Sequence, residues 1–282
     1  MGGALLSFAT MAVGARELSG ALHTFQILVI RSSIGLLVVS LILMRKGWGQ
    51  VRTQQLPLHF CRNSAHFCGQ FAWFYALGFI PMSAVFAIEL TTPLWTALLA
   101  VILLGERMTV SRASAIGAGI AGVLVILRPG ASAIHPAALG MLGGAMAYGL
   151  THTLTKKLAA GNSSLAILFY MMSMQLLIAL VPASYYWVTP RAQQWPLLLL
   201  IGIAGLSAHY CLIRALLLAD ATVVIPMDFL RLPLIALVGY LLYRETVDVH
   251  LVAGSLLILA GLMANLFRER RKAAGKGGLG YK

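Results

Sequence analysis

Residues 97–122 read ALLAVILLGERMTVSRASAIGAGIAG, and residues 236–261 read ALVGYLLYRETVDVHLVAGSLLILAG. Each is an apolar run, a short polar interruption with a glutamate at the same place, and a second apolar run rich in small residues. The two stretches are 139 residues apart. Extended to residues 76–122 over 215–261, this shift gives ten identities in 47 ungapped columns, including Glu106 over Glu245, Val110 over Val249 and Gly122 over Gly261. In the same register Glu89 lies over Asp228, while Pro93 and Pro233 miss by one position. Apolar composition alone produces chance Ala and Leu matches. It does not align acids in a chain with only 8 Asp and Glu. The chain is an internal duplication.

The composition decides where the duplication lives. Of 282 residues, 60% are hydrophobic and 10% charged, with a mean hydropathy of +0.87. A soluble domain carries about 25% charged residues, so this chain cannot dress a water-facing surface. Ten apolar segments, at 3–18, 24–44, 62–80, 83–104, 111–128, 136–156, 164–188, 195–215, 222–243 and 249–267, mostly approach the ~20 residues a helix needs to cross a bilayer. The runs are continuous rather than alternating, which excludes barrel strands. The expected fold class is all-α integral membrane, with ten transmembrane helices. The segment at 3–18 is read as a helix and not a signal peptide, because nothing basic precedes Arg16.

Charge sets the expected topology. With the N-terminus inside, 15 of the 21 basic residues fall on the cytoplasmic side or its flanks. The multi-pass chain is expected in the cell (inner) membrane with both termini cytoplasmic, and its partners are a small-molecule substrate and the lipid bilayer. The net charge of +13 is spread among apolar runs, which argues against nucleic acid. The Asn162-Ser163-Ser164 acceptor pattern falls on the cytoplasmic side and is discounted. Cys61, Cys68 and Cys211 have neither disulfide nor metal spacing. No cofactor and no metal are expected.

Five helices per repeat is an odd number, so the second half enters from the opposite side. The halves are then inverted about an axis in the membrane plane, an architecture of secondary transporters with the substrate near the midplane. Phe74-Tyr-Ala-Leu, Ala84 to Pro93-Leu-Trp, Leu103-Leu-Gly-Glu-Arg107 and Gly119 to Leu127-Arg-Pro-Gly130 resemble the first EamA repeat of the drug/metabolite transporter superfamily. Asp228-Phe-Leu-Arg-Leu-Pro233 with Gly239-Tyr-Leu-Leu-Tyr-Arg-Glu245 resembles its second, and Phe25-Gln-Ile-Leu with Arg31-Ser-Ser-Ile-Gly35 its second helix. The resemblance implies ten helices in two inverted repeats, 1–130 and 135–267, with a basic tail at 268–282. It also implies export or exchange of small metabolites, amino acids being common substrates. Arg244 stands where the first repeat has Gly105, a departure at that helix end.

Ionisable side chains at membrane depth cost about 2.5–3.5 kcal/mol on insertion scales, so each marks a function or a pair. Arg31 and Glu89 both lie about 9–10 Å in from the outer face, which predicts that they pair, either as a lock between helices or as a gate. Asp228, Arg231 and His209 form the candidate coupling cluster, with Asp228–Arg231 pairing as the plainer reading. Polar and aromatic stripes propose a substrate cavity: Gln70, Trp73 and Phe74; Glu89, Thr92 and Thr96; Tyr148, Thr151 and His152; His209 and Tyr210. Gly117, Gly122, Gly140 and Gly144 are read as helix-packing positions, and Pro93 and Pro233 as kinks. No HExxH, GxSxG or P-loop occurs, so an ATP-driven pump is excluded and no catalytic residues are assigned. An integral-membrane enzyme without a recognisable motif and a passive channel are the alternatives to a secondary transporter. A single salt-bridged Asp favours a facilitator over obligatory proton coupling.

Overall fold

A computed structural model describes residues 2–128, 134–218 and 229–277. Its long helices are α1 (Gly2–Leu18), α2 (Thr24–Lys46), α3 (Leu56–Leu77), α4 (Met82–Glu89), α5 (Thr92–Leu104), α6 (Val110–Leu127), α7 (Pro136–Ala159), α8 (Ser164–Tyr185), α9 (Trp195–Leu218), α10 (Arg231–Tyr243) and α11 (Val249–Gly277). With α4 and α5 as the halves of one span, they make ten crossings. By length and composition, the spans at 24–46, 82–104, 110–127, 164–185, 192–211 and 249–268 are apolar enough to cross a membrane. Side chains cap several starts: the His23 and His135 rings accept from the Phe25 and Ala137 N–H groups, and Thr109 and Ser163 accept from Arg112 and Ala166.

Three helix boundaries differ from the hydropathy reading. Helix α3 starts at Leu56 rather than 62, with Pro57 in its first turn. Its early polar residues His59, Arg62 and Asn63 are buried in protein, so hydropathy undercounts it. Helix α11 runs on through the basic stretch to Gly277, because Arg, Lys and Ala are good helix formers. The span at 83–104 is not continuous. It breaks at Leu90–Thr91, since Pro93 cannot donate to the Glu89 carbonyl and its ring crowds it.

The 139-residue register recurs in the backbone. The turn at Leu90–Thr91 has its counterpart at Phe229–Leu230, the start at Thr92 at Arg231, and the start at Val110 at Val249. Helices α5 and α10 both end on a left-handed residue, Gly105 with φ 68° and Arg244 with φ 56°. The sequence departure at Arg244 is therefore absorbed without a change of geometry. Packing obeys the same symmetry: α3 lies on α7 as α1 lies on α9, α5 lies on α7 as α10 lies on α1, and the equivalent pairs α2–α8 and α6–α11 pack on each other. The chain is two inverted five-helix repeats.

Small residues set the α6–α11 seam. A Cβ on Gly122 would meet the Gly254 carbonyl at 2.6 Å. Gly144 presses on Ala72 and Gly69 of α3 in the same way, whereas Gly117 and Gly140 face open space and are not packing positions. Overpacking predicts that Gly122→Ala costs about 1–3 kcal/mol, while Gly140→Ala is neutral or stabilising by up to about 1 kcal/mol. Thermal unfolding of the purified variants measures both. Arg244→Gly should stabilise by up to about 1 kcal/mol by relieving the left-handed Cβ.

Candidate substrate cavity between the repeats

A cavity of about 180 Å³ lies where the broken fourth span meets the second repeat. Helix α1 contributes Phe8 and Met11, α2 Arg31, and α3 His66, Gln70, Trp73 and Phe74. The α4–α5 break supplies Glu89, Leu90, Thr92 and Pro93. From the second repeat come Tyr148 and His152 of α7, His209 of α9, and Phe229 and Arg231. The break matters for this, because it interrupts the helix where Glu89 and Thr92 reach the cavity.

Glu89 joins the two repeats. One carboxylate oxygen lies 3.3 Å from an Arg231 Nη, and the other accepts from the Trp73 indole N–H at 2.8 Å. The Arg231 guanidinium also sits over the rings of Phe8, 4.5 Å from its centroid, and Phe86, at 5.3 Å. This corrects the expected Arg31–Glu89 pair. Both residues line the cavity, but Glu89 pairs across the repeats. Depth along the bilayer normal is one coordinate, and helix rotation decides which side chains meet. Asp228, the other expected partner of Arg231, lies outside the described residues.

Arg31 stands in a different network. In the amide orientation that matches donors with acceptors, the Gln70 oxygen accepts from the Arg31 guanidinium and its nitrogen donates to Gln175 at 2.9 Å. The Gln175 amide nitrogen lies 2.7 Å from Nδ1 of His66, whose ring stands edge-on to Tyr148. Along the same face of α3, Asn63 accepts from Arg62 at 2.7 Å, Arg62 donates to Thr155 at 3.0 Å, and His59 lies 3.2 Å from Asn162. A buried polar ladder thus runs from the cavity to one membrane face.

Each end of the molecule carries an ion pair between the repeats. At the end bearing the α1 C-terminus, Arg16 lies 3.0 Å from Glu245 and donates to the Leu77 and Ile80 carbonyls, while the Met82 N–H donates to Glu245 at 2.9 Å. At the opposite end Glu106 pairs with Lys156 at 2.6 Å and with Arg112 at 2.9 Å. Side-chain exposure separates them: 24% and 9% for Arg16 and Glu245, against 69% and 26% for Lys156 and Glu106. The Arg16–Glu245 pair is the more shielded of the two, while a second pair between the repeats at the same end, Arg128 with Asp248, is exposed.

The sequence pattern of the EamA-like transporter family matches this chain twice, over residues 2–128 and 135–267. The chain belongs to the EamA-like transporter family. A similar relative, the S-adenosylmethionine uptake transporter of Rickettsia prowazekii (strain Madrid E), is 26% identical over 96% of this chain and 94% of its own. The riboflavin transporter of Rhizobium johnstonii is 32% identical over 82% and 78% of the two chains. The pseudopaline exporter of Pseudomonas aeruginosa is 27% identical over 93% and 92%. A solved crystal structure shares the fold, with a TM-score of 0.66 at 19% identity over 95% of this chain and 96% of that one. This EamA protein is therefore a multi-pass secondary transporter of small metabolites within the drug/metabolite transporter superfamily, and not an enzyme.

Within this EamA cavity the structure gathers Arg31, Gln70, Trp73, Phe74, Glu89, Thr92, Tyr148, His152, His209 and Arg231. Three expected lining residues stand elsewhere. Thr96 donates to the Thr92 carbonyl and Thr151 to the Ala147 carbonyl, each satisfied within its own helix. Tyr210 is 66% exposed, turned away from the cavity that its neighbour His209 lines. His66, Phe8 and Met11 were not singled out. His66 was legible, four residues before Gln70 on the same helical face; Phe8 and Met11 look like ordinary apolar residues of a short helix.

Outside the membrane, the Lys156 hydrogen bond, opposed by partial burial and helped by Arg112, holds the Glu106 carboxyl below its ordinary value of 4.5. A depressed carboxylate contributes stability above its unfolded pKa and loses it as pH falls through the folded one. Wild type should therefore lose stability below about pH 4.5 relative to Glu106→Gln, with the two curves parallel from pH 5 to 8. Thermal melts across pH measure this.

Proposed function

We propose that this EamA protein exports or exchanges amino acids and closely related metabolites across the cytoplasmic membrane, by alternating access to the cavity between its repeats. One observation carries the reading: the ion pairs at the two ends are counterparts. Glu106 and Glu245 are equivalent under the 139-residue shift, and Lys156 lies one position past the equivalent of Arg16. Each pair joins the first helix of one repeat to the loop after the fourth helix of the other. If inverted halves exchange conformations, the shielded pair becomes the exposed one. On the basic-residue bias both termini and the Lys156 end are cytoplasmic and the Arg16 end faces outward.

An aromatic and amide wall around a few charges suits an α-amino acid, and S-adenosylmethionine is itself one. Relatives named for uptake and for export leave both directions open to the fold. Among the described residues the carboxylate lining the cavity is Glu89, and its commitment to Arg231 and Trp73 speaks against its carrying a coupled proton. The protein is read as a facilitator or exchanger. Ion pairs between the repeats at both ends speak for alternation over a permanent pore.

Counterflow into proteoliposomes preloaded with an unlabelled amino-acid mixture tests this. Labelled amino acid should enter faster than into vesicles without internal substrate, and an imposed pH jump should leave the rate unchanged. Trp73→Ala should raise the half-saturating concentration without lowering expression. Influx independent of internal substrate would mean a channel, and strict dependence on the pH jump would mean obligatory proton coupling.

A further inference from the structure

Arg31 is 2% exposed and lines the cavity. Among the described residues no carboxylate lies within ion-pairing distance of it, and its Nε has no hydrogen-bond partner. Of the other two buried arginines, Arg231 has the Glu89 carboxylate, and Arg62 also has neutral partners but bonds through its Nε, to Thr155, as well as to Asn63. A buried guanidinium without a counter-charge costs several kcal/mol, and at membrane depth such a residue marks a functional site.

The surroundings hold the group in place without neutralising it. A Cβ on Gly205 of α9 would fall 2.9 Å from Arg31 Nε and 3.0 Å from an Nη, so that glycine leaves a notch for the guanidinium. Gln70 accepts from the fork and is itself fixed through Gln175 and His66. These neighbours are the Gln70 and Gln175 amides, the Gly205 backbone and the His66 imidazole, and none of them is an anion. The fork is positioned and oriented, and among the described residues no anion takes up its charge.

We propose that Arg31, set by Gln70 and the Gly205 notch, is the subsite that receives the carboxylate of the transported metabolite. A planar fork matches a carboxylate with two parallel hydrogen bonds, and the ligand's charge offsets the burial cost that the protein leaves unmet. The cavity, at about 180 Å³, is smaller than the ~300–1,000 Å³ of drug-sized sites, which fits an amino-acid-sized ligand. The assignment rests on the transporter reading above and deepens it from a cavity to the part of the substrate that is recognised.

The test compares acids with their isosteric amides: L-tryptophan, L-phenylalanine and L-methionine against the corresponding carboxamides. Affinities for the purified protein are measured by ligand-induced shifts in unfolding temperature, with inorganic phosphate as a further probe. At least one acid should bind wild type about 10- to 100-fold tighter than its amide, as expected for losing a charge-assisted pair. Arg31→Gln should collapse that ratio to near one, Arg31→Lys should keep part of it, and Gly205→Ala should lower it by displacing the fork. Ligand-free Arg31→Gln should unfold at the same temperature as wild type or higher, whereas a purely structural arginine would lower it. Acid and amide binding equally, no acid binding, a ratio that survives Arg31→Gln, or a response to phosphate without any to the acids would each overturn the subsite. The counterflow experiment judges the transporter reading separately, since a carrier that moves amide and acid alike fails only here.

Discussion

Hydrocarbon offers a charge no solvent, so an acid and a base at membrane depth must find each other or a cavity, and Glu89 does both. Its carboxylate holds Arg231 of the second repeat and Trp73 of its own. That contact ties the end of α4, where the fourth span is interrupted, to the start of α10. A continuous fourth helix would carry its backbone polar groups paired along its axis. The break brings Glu89 and Thr92 to the cavity, and the Glu89–Arg231 pair fixes α4 relative to α10. The cavity is the space left around this joint, closed by rings from α1, α3 and α7.

Inverted repetition explains why the ends look alike in plan, and their equivalent pairs differ in exposure. The same elements meet at each: the first helix of one repeat and the loop after the fourth helix of the other. At one end the glutamate is partly buried, held by Arg16 and the Met82 N–H; at the other it is held by exposed Lys156 and by Arg112. One sequence pattern thus stands in two environments. The polar ladder on α3 has no counterpart of the same polarity on α9, where Gly205 lies opposite His66 in the register and Gly202, Ile203 and Ala204 precede it. The backbone is symmetric, while the chemistry of the cavity is not.

Much of this was legible in the sequence, for physical reasons. Span number follows from hydrophobic length, and the duplication from aligned glutamates. Pro93 reads as a kink because it lacks a donor, and the structure makes it a full break. The left-handed end at Arg244 was not legible, because the residue there departs from Gly105 of the first repeat. The pairing of Arg31 was misread because depth is fixed by residue number and azimuth is not: Arg31 turns to Gln70 and Gly205, and Glu89 to Arg231. Thr96 and Thr151 were misplaced for a related reason. A threonine on a helix satisfies its hydroxyl on the preceding turn, so a polar stripe does not by itself point to a cavity.

The central claim is that the two ends open in alternation. Spin-label pairs across each end, at Ser19 and Arg244 and at Arg107 and Lys157, report both widths in one reconstituted preparation. Substrate addition should move the two distance distributions in opposite senses, one lengthening as the other shortens. Distances that change together, or that stay fixed while substrate crosses, would contradict alternating access between inverted repeats.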